Sequence, residues 1–392
     1  MNPGFGGQGF NQQAGNPRGR GRGGPYRGHA PRRGSRAKQG TSKLCKNFQK
    51  GTCNNPSCGF LHQFTYDNSL VCITRINAND SVFASALINE TQIAVAQRGG
   101  IINVFDLSNG QTVGNFKLGA NINAMKFTPP YNSEKFPHGV SFLFCGGFLK
   151  NKAPYLGCIN CLTNETQVLQ GGHQSGSVNA IEISSTGLIF SASGDGVVCV
   201  WFFNGSEMQF GMTLDVDRNL SKEILSLCIL NDTILAGNSS GFILGWKYDY
   251  TQNVSQFQGV LEPQMNAKVK SIISFQDRFI LCAADNGTIY CWDSQKEFAG
   301  WQFANVSEKT QVHPECITVT ANRQNETILL VASLSGDVMV YSAAQEVKFR
   351  FKISLHGAQV NNIVPYSNTQ AGFLGFITTS KDGQIVLMNW MG

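Results

Sequence analysis

Three cysteines and a histidine share one short window, spaced Cys45-x7-Cys53-x4-Cys58-x3-His62. Thiolate sulfur and imidazole nitrogen are ligands that zinc accepts, and four of them complete its tetrahedron. The gaps let one short stretch of chain wrap one ion. That stretch has no core of its own, so metal binding supplies its folding energy. Four protein ligands leave no open position, which predicts one structural Zn2+ and not a catalytic one. Lys43, Lys46 and Lys50 surround the first ligand and are suited to phosphate contact.

The charge around this cluster is one-sided. Residues 1–66 hold eleven Lys and Arg and no Asp or Glu; the first acid is Asp67. The chain as a whole is +6, so subtracting +11 leaves −5 for residues 67–392. A basic arm on a mildly acidic body points to an anionic polymer as the arm's partner. Residues 1–43 are Gly, Asn, Gln, Pro and Arg with almost no aliphatics. Such a segment buries too little apolar surface to offset the entropy of ordering, which predicts disorder. Arg18, Arg20, Arg22 and Arg27 alternate with glycines there. Arginine offers a phosphate fork and a planar face for bases, and glycine keeps the backbone pliable. The composition also suits a solubilising tail with no specific partner.

The rest of the chain repeats. Ser-Ala-Ser-Gly-Asp-Gly-Val-Val-Cys-Val-Trp ends at Trp201, and its turn-plus-strand piece returns with a large residue at 105, 246, 292, 341 and 388. Successive ends are 96, 45, 46, 49 and 47 residues apart, so the gap of 96 hides one degenerate copy, with Ile159 at the large position. Seven copies of four short strands predict an all-β fold, a seven-bladed β-propeller over residues 65–392. Single blades cannot bury both faces, so each stacks on its neighbour and the ring closes. Leu70–Ile76 is a candidate fourth strand for the last blade, whose own chain ends on a third strand.

Two family resemblances follow from these residues. Residues 80–392 resemble the WD40 repeat family. Blade 3 carries the resemblance best: Gly172-His173, Ser191 or Ser193, Asp195 and Trp201 fall where that family has a structural hydrogen-bond network. Other blades lack the His or the turn Asp on this reading, and one Trp-Asp pair survives, at Trp292-Asp293. Residues 44–64 resemble the Cys3His (CCCH) finger family, many of whose members bind single-stranded RNA. Phe48 and Phe60 stand at that family's aromatic positions, and the resemblance implies that Phe60 stacks on a base. Asn55 replaces a second stacking aromatic. A CCCH finger followed directly by a propeller resembles the CCCH/WD40 proteins known best from plants.

Other chemistry has little support. The scattered cysteines sit singly in apolar strand-like runs and read as small core residues. Cys158-x-x-Cys161 has no second pair or His at ligand spacing and reads as two strand cysteines. No nucleophile elbow, Walker loop or His-Glu-x-x-His motif is present. With no disulfide framework, apolar leader or membrane-length stretch, the chain reads as reduced and intracellular. The expectation is a non-enzymatic RNA-binding adaptor, its propeller recruiting proteins, with no membrane and no small-molecule substrate. The alternative is a substrate receptor in a complex such as a ubiquitin ligase, its finger purely structural. Trp292-Asp-Ser-Gln295 lacks the Arg that many such receptors carry.

Overall fold

A computed structural model describes residues 69–391 apart from 215, 218, 262–266, 295–301, 307–311 and 344–346. Of Phe64–Tyr66 and Gln302–Val306 it describes the backbone alone. The disordered tail expected over 1–43 and the finger expected over 44–64 lie outside the described residues, save the backbone of Phe64.

The described chain forms seven antiparallel sheets, six of four strands and one of five. Blade 1 begins at Val82, blade 2 at Asn121 and blade 3 at Val178. Blades 4 to 7 begin at Ile224, Val269, Pro314 and Val360. The degenerate second blade is therefore a full sheet, though its outermost strand shrinks to Thr166–Val168.

Ring closure uses the early strand. Leu70–Asn77 pairs antiparallel with Gln384–Trp390, placing Leu70 opposite Trp390 and Ile76 opposite Ile385. A further strand, Phe64–Tyr66, pairs on its outer side with Leu70–Cys72. The sequence pattern does not predict this strand and groups Phe64 with the finger. Arg75 reaches across from the closing strand and donates from Nη1 to the Leu355 carbonyl at 2.8 Å.

The core is divided into seven clusters, one between each pair of neighbouring blades. Side-chain alternation explains the division. In the second strand of blade 1, Ile93 and Val95 pack toward blade 7, whereas Ala94 and Ala96 pack toward blade 2. In blade 5, Ile280 and Cys282 face blade 4 while Leu281 and Ala283 face blade 6.

The large residue that marks each repeat fills one such cluster. Phe105, Ile159, Trp201, Trp246, Trp292, Tyr341 and Met388 each belong to the interface with the preceding blade. Trp201 and Trp246 are each 1% exposed, so truncating either to Ala removes about 3–5 kcal/mol. The turn glycine has a steric cause. Gly336 stands at φ +90°, and a Cβ there would lie 2.3 Å from the His356 carbonyl oxygen.

Candidate functional site

The predicted ligands Cys45, Cys53, Cys58 and His62 lie outside the described residues, as do Arg18, Arg20, Arg22, Arg27, Lys43, Lys46, Phe48, Lys50 and Phe60. Among the described residues, no group of three or more His, Cys, Asp or Glu is placed to hold a metal. What the structure does place is the propeller, whose upper end bears the turns between second and third strands and whose innermost strands line a central channel.

Blade 3 brings its candidate residues together. His173 Nε2 lies 2.8 Å from Ser191 Oγ, and His173 Nδ1 lies 3.3 Å from both Asp195 oxygens. Trp201 Nε1 donates to the same Ser191 Oγ at 2.8 Å. Ser191 is therefore the serine of the network. Ser193 instead donates to the Ser175 carbonyl at 2.9 Å and accepts the Asp195 N–H at 3.3 Å. The Asp195 carboxylate also accepts the N–H groups of Gln174 and Val197. Burial pushes this carboxyl up, but those bonds and the His173 ring outweigh it and hold it below the usual range.

Ser191, His173 and Asp195 share the connectivity of a hydrolytic triad. Ser191 is fully buried, however, and its oxygen already receives the Trp201 N–H. No substrate atom can reach it, so the arrangement ties the blade together.

Blade 7 holds a second network of this kind, which corrects the sequence reading that other blades lack the His or the turn Asp. His356 Nε2 lies 2.8 Å from Thr378 Oγ1, and its Nδ1 lies 3.2 Å from both Asp382 oxygens. Gly357 and Gln384 donate N–H groups to Asp382. The missed signal was a hydroxyl residue four places before the turn Asp, as Ser191 is before Asp195 and Thr378 before Asp382. Thr replaced Ser, and Met388 stands where blade 3 has Trp201, so the tryptophan that draws the eye was absent.

Near its start, the innermost strand of every blade skips one residue in its pairing. The skipped residues are Phe83, Asn123, Asn179, Leu225, Lys270, Glu315 and Asn361, and all seven line the channel. A bulge re-aims a side chain, here into the channel. The asparagines stitch neighbours together: Asn179 donates to the Ile224 carbonyl at 2.9 Å, and Asn361 to the Val82 carbonyl at 2.5 Å. Lys270 pairs with Glu315 at 3.2 Å, and lower down Lys126 pairs with Glu182 at 2.8 Å. The channel encloses about 690 Å³.

Cys316 lines the channel, whereas Cys158 sits in the core between blades 2 and 3. Burial pushes the Cys316 thiol up to about 12, and likewise Cys158, so both stay protonated and unreactive at neutral pH. Cys161 departs from its expected strand position: it follows Asn160, the last residue of its strand, in an exposed turn. The surviving Trp-Asp pair is structural as well, since Arg278 forks onto Asp293 with Nε–Oδ1 at 2.8 Å. No helix among the described residues is long and apolar enough to cross a membrane.

Comparison with known proteins agrees with this geometry. Residues 163–201, the stretch that ends on Trp201 and contains the His173 network, match the family model "WD domain, G-beta repeat". The crystal structure of the WD40 β-propeller domain of Doa1 superposes with a TM-score of 0.60 at 14% identity, covering 79% of this chain and 93% of that one. The fold is thus an all-β, seven-bladed propeller with a WD40 repeat. "Zinc finger CCCH domain-containing protein 63" of Arabidopsis thaliana is 22% identical over 176 residues, 44% of this chain. The shared region spans 35% of that relative's length. Propellers of this type generally serve as non-enzymatic scaffolds for protein interactions.

Proposed function

We propose that this protein is a zinc-dependent RNA-binding adaptor with no catalytic step of its own. In this reading Cys45, Cys53, Cys58 and His62 hold one Zn2+, and the finger so formed presents Phe60 to a base. Lys43, Lys46, Lys50 and the Arg-Gly tail neutralise phosphates along the same strand. The propeller recruits the protein partners.

The observation that carries the reading is the ligand set itself. Four metal-binding side chains occupy one short window inside a segment of +11 charge with no acid. The resemblance to a protein whose name records a CCCH zinc finger supports it.

The test is binding of labelled single-stranded RNA by the full chain, at low and physiological salt. Cys53→Ser should weaken binding at both salts, and zinc chelation should reproduce that loss in the wild type. Phe60→Ala should cost about 5- to 150-fold, the value of roughly 1–3 kcal/mol for one stacked base. If affinity depends on salt alone and ignores both substitutions, the finger does not read RNA and the adaptor reading fails.

A further inference from the structure

The charge of the propeller's upper end is uneven, and the unevenness is concentrated in two adjacent blades. In blade 1, Arg98 sits in the turn between the second and third strands. Lys117 ends the fourth strand directly opposite Ile101, the first residue after that turn. The Leu118 N–H then bonds the Gly100 carbonyl at 2.9 Å, which holds the two positions side by side.

Blade 2 continues the row. Its innermost strand starts at Asn121, which pairs with Phe148. Phe148 leads into the turn that bears Lys150 and Lys152. The fold thus gathers four cations, from three turns separated in sequence, at one end of two neighbouring sheets.

All four side chains are exposed, and none takes part in an ion pair among the described residues. The turns themselves, 97–100, 117–121 and 149–153, contain no Asp or Glu. The flanking acids are Asp80, in the connection into blade 1, whose carboxylate accepts the Ser81 N–H at 2.7 Å, and the turn aspartates Asp195 and Asp382 of blades 3 and 7, each engaged by its own histidine. Lys152 stands at φ 65°, where glycine would be unstrained, so the turn carries a charge at some conformational cost. The lower end of the same two blades has the opposite sign: Glu90, Asp106, Glu134 and Glu165, with Lys135 and His138 as the basic groups. An anionic ligand near this sector is attracted to the upper end and repelled from the lower.

We infer that Arg98, Lys117, Lys150 and Lys152 form a second nucleic-acid contact, a rim on the propeller that holds the phosphodiester backbone of a single-stranded RNA. The inference rests on the RNA-binding reading above and extends it from the amino-terminal segment to the propeller. A polyanion fits this rim better than a folded protein does. None of the three turns has an exposed large apolar side chain, and protein interfaces are anchored by such groups. With Lys in three of the four positions, the contact is by charge and carries no base preference.

The test uses the zinc-loaded full chain and a labelled single-stranded RNA, with affinity measured across a range of salt. A quadruple variant, Arg98→Ala, Lys117→Ala, Lys150→Ala and Lys152→Ala, removes the rim. A control removes as many cations from elsewhere on the propeller: Lys135→Ala, Lys247→Ala, Lys348→Ala and Lys352→Ala. Both must unfold at the wild-type temperature. Loss of four phosphate contacts should flatten the slope of log affinity against log salt by about 3, at roughly 0.7 per contact, with no such change in the control.

A rim variant with the wild-type slope overturns the inference. If Cys53→Ser and Phe60→Ala still weaken binding in that case, the adaptor reading survives alone. A wild-type chain that binds no RNA defeats both. Polyglutamate is the remaining arm. Displacement of RNA by polyglutamate as effective as by RNA of equal charge, and lost in the rim variant, would give the rim to acidic protein and overturn the inference.

Discussion

Burial keeps the His356 imidazole neutral at pH 7, because desolvation lowers its proton affinity by more than the Asp382 carboxylate raises it. The neighbouring Arg75 charge acts in the same direction as burial. With its proton on Nδ1 facing Asp382, the ring offers Nε2 to the Thr378 hydroxyl, so every polar atom has a partner. Protonation at Nε2 would turn the Thr378 hydroxyl from donor to acceptor. The folded-state pKa lies below the ordinary 6.5, so the unfolded chain takes up the proton first as pH falls. Stability contributed by this residue is complete above about 6.5 and drains away below it. Asp195 and Asp382 are both held below 3.8 and add a second loss in more acidic solution. We expect His356→Gln to unfold at a lower temperature than wild type at pH 7.5, with the gap narrowing by pH 5. A gap that stays constant over that interval would show that His356 does not titrate between the folded and unfolded states.

At the scale of elements, the closing strand is the most exposed dependency of the fold. Leu70–Asn77 completes blade 7 although nearly the whole propeller separates it in sequence from its partner Gln384–Trp390. Without it, the last sheet would present an unpaired edge and leave Trp390 without Leu70 and Cys72 beside it. A chain starting at residue 69 should keep the thermal midpoint of the full protein, whereas one starting at residue 78 should aggregate or melt far lower. Equal midpoints for the two would mean that closure contributes nothing.

The closing strand was legible in sequence because a propeller of four-stranded blades was one strand short at its end. The large residues and turn glycines were legible for a related reason: filling a gap of fixed size, or holding positive φ, restricts which residue can stand there. The bulges were not. Phe, Asn, Leu, Lys and Glu all serve at the skipped positions, because the irregularity belongs to the backbone and leaves the side chain free. Blade 7's network was hidden by Thr378 and Met388, which preserve the geometry without the expected letters. The candidate zinc ligands are read from residue type and spacing alone and lie outside the described residues.

At the scale of the whole propeller, the described residues share no single core. Among the described residues the apolar interior is seven separate clusters, each shared by two blades and by no third. In an open array of that construction, damage at one interface is felt by the flanking units and fades with distance. Closure changes this, because opening any interface turns the ring into an arc and strains the join between Leu70–Asn77 and Gln384–Trp390. The propeller should therefore unfold as one unit. Hydrogen exchange of Trp246→Ala tests this. Trp246 fills the cluster between blades 3 and 4, far around the ring from the second strand of blade 1, Gln92–Gln97. The substitution should cost about 3–5 kcal/mol, enough to speed globally exchanging amides about a hundredfold or more. For a cooperative ring, that acceleration appears equally in Gln92–Gln97 and in Thr233–Asn238, the strand beside the substitution. Acceleration confined to Thr233–Asn238 would mean that the blades open independently and that closure fixes their order without coupling their stability.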